Sequence, residues 1–173
     1  MIVRALHQDD FNKGFLDLLS QLRPPICKMD ESRFGKIFSE LRNGGTTHIF
    51  VIEEKNRVVA TATIVYCTKF IYGGKKLGQI EDVVVHRRFR NRGFGTALID
   101  YCVKHASNSN CFKIGLCART GADRFYNACG FKPIGSYFAK YDIQPSESNP
   151  KIQLPINTHP TRTCKWFPKN YFD

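Results

Sequence analysis

Gln79-Ile-Glu-Asp-Val-Val-Val-His-Arg-Arg-Phe-Arg-Asn-Arg-Gly-Phe-Gly-Thr96 joins a strand to a helix through a glycine turn. An apolar strand, Ile80 to Val85, runs into a basic turn carrying Arg87, Arg88, Arg90 and Arg92. Gly93 and Gly95 follow, and Thr96-Ala-Leu-Ile-Asp-Tyr101 starts a helical pattern. The first N–H groups of a helix lack internal acceptors, and the helix dipole is positive at that end. A glycine turn there leaves main-chain donors uncovered, a geometry that suits a phosphate or pyrophosphate. The spacing matches neither Gly-x-Gly-x-x-Gly nor Gly-x-x-x-x-Gly-Lys-Ser/Thr, which argues against a dinucleotide fold and a P-loop.

The rest of the chain bounds the setting. Its 173 residues fit one domain, and a hydrophobic fraction of 42% is sufficient for a core. No run approaches the ~20 apolar residues of a membrane span. The polar start, Met1 to Asp10, does not read as a signal peptide, so the cytoplasm is the expected compartment. Seven scattered cysteines form no Cys-x-x-Cys pair, and most read as small core residues in a reducing compartment, with no metal expected. The net charge of +11 fits solubility, nucleic acid or anionic small ligands. Five of the seven residues from His86 to Arg92 are basic or histidine, and no exposed aromatics alternate with the basic residues. An anionic cofactor and a phosphorylated substrate therefore explain the charge better than nucleic acid.

Outward from the motif, Ile2 to Leu6 reads as a strand, and Asp9 or Asp10 caps a helix carrying Phe11, Phe15, Leu18, Leu19 and Leu22. Arg23-Pro-Pro ends that helix. A second helix runs from Asp30 to Leu41, with Phe34, Ile37, Phe38 and Leu41 inward. His48–Glu53 and Val58–Cys67 form a hairpin. The helix after Gly95 buries Leu98, Ile99, Cys102 and Val103. A strand from Cys111 to Cys117, a helix from Asp123 to Cys129 and a strand from Phe131 to Tyr141 complete a mixed α/β sandwich. The order is β-α-α-β-β-β-α-β-α-β. From Asp142 to Asp173, prolines at 145, 150, 155 and 160 followed by an aromatic end (Trp166, Phe167, Tyr171, Phe172) read as an extension folded as an ordered arm.

Arg90-Asn-Arg-Gly93-Phe-Gly95 resembles the acetyl-CoA pyrophosphate loop of the GNAT superfamily of N-acetyltransferases. Further segments resemble its glucosamine-6-phosphate N-acetyltransferase family. These are Val59-Ala-Thr-Ala-Thr63, Lys69-Phe-Ile71, Gln79 to Val85, Cys111-Phe-Lys-Ile114 and Arg124-Phe-Tyr-Asn-Ala-Cys-Gly-Phe131. Phe11-Asn-Lys-Gly-Phe15 and Leu19-Ser-Gln-Leu22 fit as well. The resemblance covers residues 1–141. It implies the GNAT fold, a mixed central sheet flanked by helices, and acetyl-CoA as cosubstrate. It also implies transfer to the 2-amino group of glucosamine 6-phosphate, on the route to UDP-N-acetylglucosamine, in an intertwined homodimer.

By the same resemblance, Val83, Val84 and Val85 hold the pantetheine arm, and Asn91, Arg92, Gly93, Phe94, Gly95 and Thr96 wrap the pyrophosphate. Tyr126, Asn127 and Ala128 line the thioester end. The sugar phosphate falls to Lys69, Phe70, Ile71, Tyr72, Glu81, Asp82, Val83, Phe112 and Lys113. The chain departs from the family pattern at Cys117, where an acidic residue is usual, and at Ala122, where an Asn is common. Arg23 takes the place of a Thr and can contact the phosphate, while Lys140 or Tyr141 stands where an arginine is expected.

The chemistry reads from the residues themselves. Acyl transfer to an amine needs a neutral nitrogen, a polarised thioester carbonyl and a proton for the leaving thiolate. Glu81 or Asp82, on opposite faces of a strand, can orient the ammonium and relay its proton; main-chain carbonyls near Cys117 are an equal candidate. Tyr126 is protonated at neutral pH and can supply the sulfur's proton. A strand N–H near Val83 can polarise the carbonyl. A different acceptor amine, or a non-catalytic acetyl-CoA or nucleic-acid module, are the alternatives, and the basic charge and the retained Tyr126 and Glu81-Asp82 count against them.

Overall fold

A computed structural model describes residues 1–23 and 28–135. Five strands form a mixed sheet in chain order: β1 (Val3–Ala5), β2 (Thr47–Glu54), β3 (Arg57–Thr68), β4 (Lys76–Val85) and β5 (Cys111–Leu116). The pairs from β1 to β4 are antiparallel, and β5 lies parallel to β4. The helices are α1 (Phe15–Ser20), α2 (Glu31–Gly44), α3 (Phe94–Asn108) and α4 (Asp123–Ala128). The parallel pair follows from α3, which carries the chain back to the start of β4 before β5 begins.

Alternation along the strands sorts apolar residues onto two faces. Phe50, Ile52, Ala60, Ala62, Ile64 and Ile80 pack beneath Leu98, Ile99, Cys102 and Ala106 of α3. Val51, Val58 and Val84 meet Phe15 and Leu18 of α1 and Phe34 of α2 on the other face. Asp30 caps α2 by accepting the Arg33 N–H at 2.8 Å, and Gly45 ends it in the left-handed region. Lys55 and Asn56, both at positive φ, make the tight turn between β2 and β3.

Several expectations are corrected. The first expected helix is broken into a 3-10 turn, Gln8–Phe11, and α1, because Gly14 sits at φ 79° between them. Asp10 does not cap a long helix: its side chain is fully buried against Arg4, with Arg4 Nη1 2.8 Å from Oδ2 and Nη2 2.7 Å from Oδ1. The described cysteines differ in burial. Cys102 is buried, with its thiol pushed up to about 12 by burial, whereas Cys67 and Cys117 are exposed. Of the strand expected over 131–141, residues 131–135 adopt no regular element, and the remainder, with Lys140, Tyr141 and the extension, lies outside the described residues. Among the described residues no helix is long and apolar enough to cross a membrane.

His48 and His105, which carry no sequence motif, meet where β2, β3 and α3 join. Their rings lie 4.6 Å apart, and the Tyr66 hydroxyl is 2.6 Å from His105 Nδ1. Burial lowers both histidines below the ordinary value, and Lys76 pushes each further down; His48 adds to the effect on His105. A depressed base binds fewer protons folded than unfolded, so stability falls as pH drops below about 6.5, the unfolded value. Urea midpoints should decline between pH 6.5 and 5, and His105→Gln should flatten that decline. An unchanged slope in the variant would remove His105 as its source.

Candidate functional site

The centre of the site is an irregularity in β4. Between Thr61↔Val84 and Thr63↔Glu81 the register gains one residue on β4, and Asp82 sits at φ 49°. This is a β-bulge, which bends its strand and redirects side chains. Beyond it the alternation resumes shifted: Val83 and Val85 join Ile80 on the α3 side, while Val84 packs on the α1 side. The expected simple alternation of Glu81 and Asp82 is therefore interrupted, and both carboxylates are exposed rather than held inside an apolar strand.

Pairing of β4 with β5 stops in the same place. Lys76 to Ile80 pair with Cys111 to Leu116, and among the described residues the second half of β4, Glu81 to Val85, pairs with β3 alone. The β5-facing edge of Val83, Val84 and Val85 thus offers main-chain groups to an extended ligand laid between the two strands. At the end of this open edge the chain turns through Arg87–Phe89 and Asn91, at φ 60°, into Gly93, at φ 80°, which precedes α3. Among the described residues, the N–H groups of Asn91, Arg92, Gly93, Phe94, Gly95 and Thr96 have no acceptor; the first helical bond is Ala97 N–H to Gly93 O at 3.0 Å. Six consecutive free donors at a helix start form an anion cradle.

The two glycines serve different ends. A Cβ on Gly93 would meet nothing within 4 Å, so that position needs glycine for its backbone angle alone. A Cβ on Gly95 would lie 3.1 Å from Phe125 Cζ, so that glycine lets α4 dock on the first turn of α3. Phe125 carries Tyr126 with it, their rings 4.9 Å apart, and Phe131 holds the tyrosine from the other side at 6.3 Å. Tyr126 is half-buried; burial raises its phenol above the ordinary 10, and the nearby Cys129 and Cys117 sulfurs act in the same direction. It is a proton donor at neutral pH.

Residues 4–131 match the model of the acetyltransferase (GNAT) family. The chain belongs to the GNAT acetyltransferase family. It is 34% identical over 142 residues to the glucosamine 6-phosphate N-acetyltransferase of Arabidopsis thaliana, covering 80% of this chain and 95% of that protein. It is also 34% identical over 145 residues to the probable glucosamine 6-phosphate N-acetyltransferase 2 of Oryza sativa subsp. japonica, covering 80% and 86%. The crystal structure of the Arabidopsis glucosamine-6-phosphate N-acetyltransferase superposes with a TM-score of 0.78 at 32% identity, covering 82% of this chain and 97% of that one.

In this acetyltransferase the open edge at Val83–Val85 leads into the donors of residues 91–96, Gly95 lies against both Val85 and Phe125 of α4, and Asn127 and Ala128 are exposed on that same helix. The residues expected for the sugar do not come together. Glu81, Asp82 and Val83 lie in the middle of β4, whereas Lys69–Tyr72 form a turn before its first residue. Phe112 and Lys113 open β5 beside that turn, and Tyr72 stacks on Phe112 with ring centroids 3.8 Å apart. Arg23 follows α1 near the other end of β4, where Gln21 Oε1 accepts the Arg87 N–H at 3.1 Å. Cys117, exposed, follows the last residue of β5.

Sequence reasoning missed Gln21 and Phe125 as parts of this site. Phe125 stood inside a quoted motif, and its size opposite a glycine was the available signal. Gln21 also stood inside a quoted segment, Leu19-Ser-Gln-Leu22, but nothing in the chain linked it to Arg87. Among the described residues no three of His, Cys, Asp and Glu converge to hold a metal ion.

Proposed function

We propose that this chain transfers the acetyl group of acetyl-CoA to the 2-amino group of glucosamine 6-phosphate, directly within a ternary complex, releasing N-acetylglucosamine 6-phosphate and CoA. The observation that carries the reading is the cradle of six free N–H groups at residues 91–96, continuous with the unpaired half of β4. Those donors match a diphosphate, and the strand edge matches an amide-bearing arm. Acetyl-CoA supplies an activated acyl group when bound; the chain aligns and polarises it. A main-chain N–H near Val83 is positioned to bond the acyl oxygen, and Tyr126 O–H to protonate the departing sulfur. The amine's proton goes to Glu81 or Asp82, exposed at the bulge, or to a main-chain carbonyl near Cys117.

An intertwined homodimer is part of the proposal. Lys76, the first residue of β4, is five positions from Glu81, about 17 Å along a strand. One hexosamine phosphate cannot touch both Glu81 and the Lys69–Tyr72 turn of the same chain. A partner's turn, with its Phe112 and Lys113, brings the two halves of the sugar site together. Phe70 and Ile71 support this, being 103% and 83% exposed at the tip of that turn, an apolar exposure that burial in a dimer would relieve.

A panel of amines tests the activity, with CoA release followed by a thiol reagent against a blank for the protein's own cysteines. Glucosamine 6-phosphate should be preferred over glucosamine by about tenfold or more in kcat/KM, because the phosphate meets cationic side chains. Faster turnover of a lysine peptide or a polyamine would overturn the substrate.

A further inference from the structure

The turn before the cradle holds more positive charge than the diphosphate uses. Of its four arginines, two are committed locally. Arg90 donates from Nε to Val85 O at 3.3 Å, and the Arg92 guanidinium lies 5.4 Å from the Phe89 ring centroid. Arg87 and Arg88 differ: their backbones are fixed, and their side chains make no hydrogen bond or ion pair among the described residues. The Arg87 N–H donates to Gln21 Oε1 at 3.1 Å and the Arg88 N–H to His86 Nδ1 at 3.2 Å, so the 3-10 turn is held in place. Both residues are exposed, and the ion pairs among the described residues belong to Arg4 and Lys13 instead.

The positive field converges here. Burial first, and then the charges of Arg87, Arg88, Arg57 and Arg90, push the His86 imidazole below its ordinary value. Arg57 comes from the start of β3, whose residue Ala60 pairs with Val85, so a second element brings a cation to the same end of the sheet. Like charges gathered without a counterion repel one another and cost the free protein stability. An anion bound there relieves that cost.

We propose that Arg87 and Arg88 form the seat of the ribose 3′-phosphate of CoA, a monoester distinct from the diphosphate held by residues 91–96. This rests on the acetyl-CoA reading above. The chemistry separates the two phosphates. A diphosphate is satisfied by main-chain donors at a helix start. A terminal phosphate dianion presents three oxygens, which match the planar fork of a guanidinium in paired hydrogen bonds. The turn therefore makes the site selective for CoA over its dephosphorylated form, and the preference should weaken as salt screens it.

Calorimetric binding and thermal unfolding with CoA and with 3′-dephospho-CoA, for the unaltered protein and an Arg87→Gln/Arg88→Gln variant, test this. The unaltered protein should bind CoA about tenfold or more tightly than dephospho-CoA. The variant should bind both equally, with its dephospho-CoA affinity kept within about threefold, a result that also reports correct folding. Equal binding of the two ligands by the unaltered protein would overturn the proposal, as would a variant that keeps the preference or loses both ligands alike. Failure of the unaltered protein to bind either ligand would instead overturn the acetyl-CoA reading, and this proposal with it.

Discussion

Tyr126→Phe is expected to lower kcat about 100-fold or more while leaving the Kd for acetyl-CoA within about twofold. The substitution removes one oxygen and keeps the ring. Packing against Phe125 and Phe131 survives, and with it the docking of α4 on Gly95. Burial already holds the phenol above its ordinary titration range, so the hydroxyl stays protonated through neutral and mildly alkaline pH. It can therefore deliver a proton to a leaving sulfur, and its loss falls on the transition state, where that charge develops, rather than on ground-state binding. Single-turnover rates with acetyl-CoA binding measured in parallel separate the two effects. A rate within a factor of about two of the unaltered protein would show that Tyr126 is only a core aromatic.

The same region shows what a sequence can and cannot disclose. The cradle was legible because glycine leaves a mark: Gly93 adopts an angle other residues resist, and Gly95 leaves room for Phe125. The strand before it and the helix after it were legible from period, Ile80 to Val85 by apolar continuity and Leu98, Ile99 and Cys102 by helical spacing. The bulge was not. Asp82 enters the left-handed region, which aspartate tolerates better than most residues, and no glycine or proline announces it. That one extra residue shifts the side-chain pattern of Val83 to Val85, a consequence visible only when β3 and β4 are set in register.

The sugar side illustrates a different limit. Lys69, Tyr72, Phe112 and Lys113 do gather at one end of the sheet, as their resemblance to family segments implies. Their separation from Glu81 and Asp82 is a property of the length of β4, not of any residue type. Likewise His48, Tyr66 and His105 meet only because β2, β3 and α3 cross there, since no spacing in the chain links them.

Asp10→Ala should cost about 3 kcal/mol of stability, the range found when one partner of a buried ion pair is removed. Sequence reading offered Asp9 or Asp10 as a helix cap, yet the fold uses Asp10 as a clasp. Its two oxygens take both terminal nitrogens of Arg4 on β1, and Oδ2 also accepts the His7 N–H at 2.8 Å. Burial alone would raise the carboxyl; the Arg4 and His7 hydrogen bonds, with the charges of Arg4 and Lys13, hold it below its ordinary value instead. Alanine would leave the Arg4 guanidinium with Glu53 as its remaining carboxylate among the described residues and the His7 N–H without its acceptor. Because the folded carboxyl titrates below the unfolded one, its contribution is complete above about pH 5, a unit above the unfolded value, and fades as pH falls through the folded value. The histidine pair acts in a higher window, beginning below about pH 6.5. Urea unfolding of Asp10→Ala across pH 3 to 7 should therefore show a loss that is constant above about pH 5 and shrinks toward pH 3. A loss that stays constant through the acid range would mean that Asp10 contributes by packing and not as a charge.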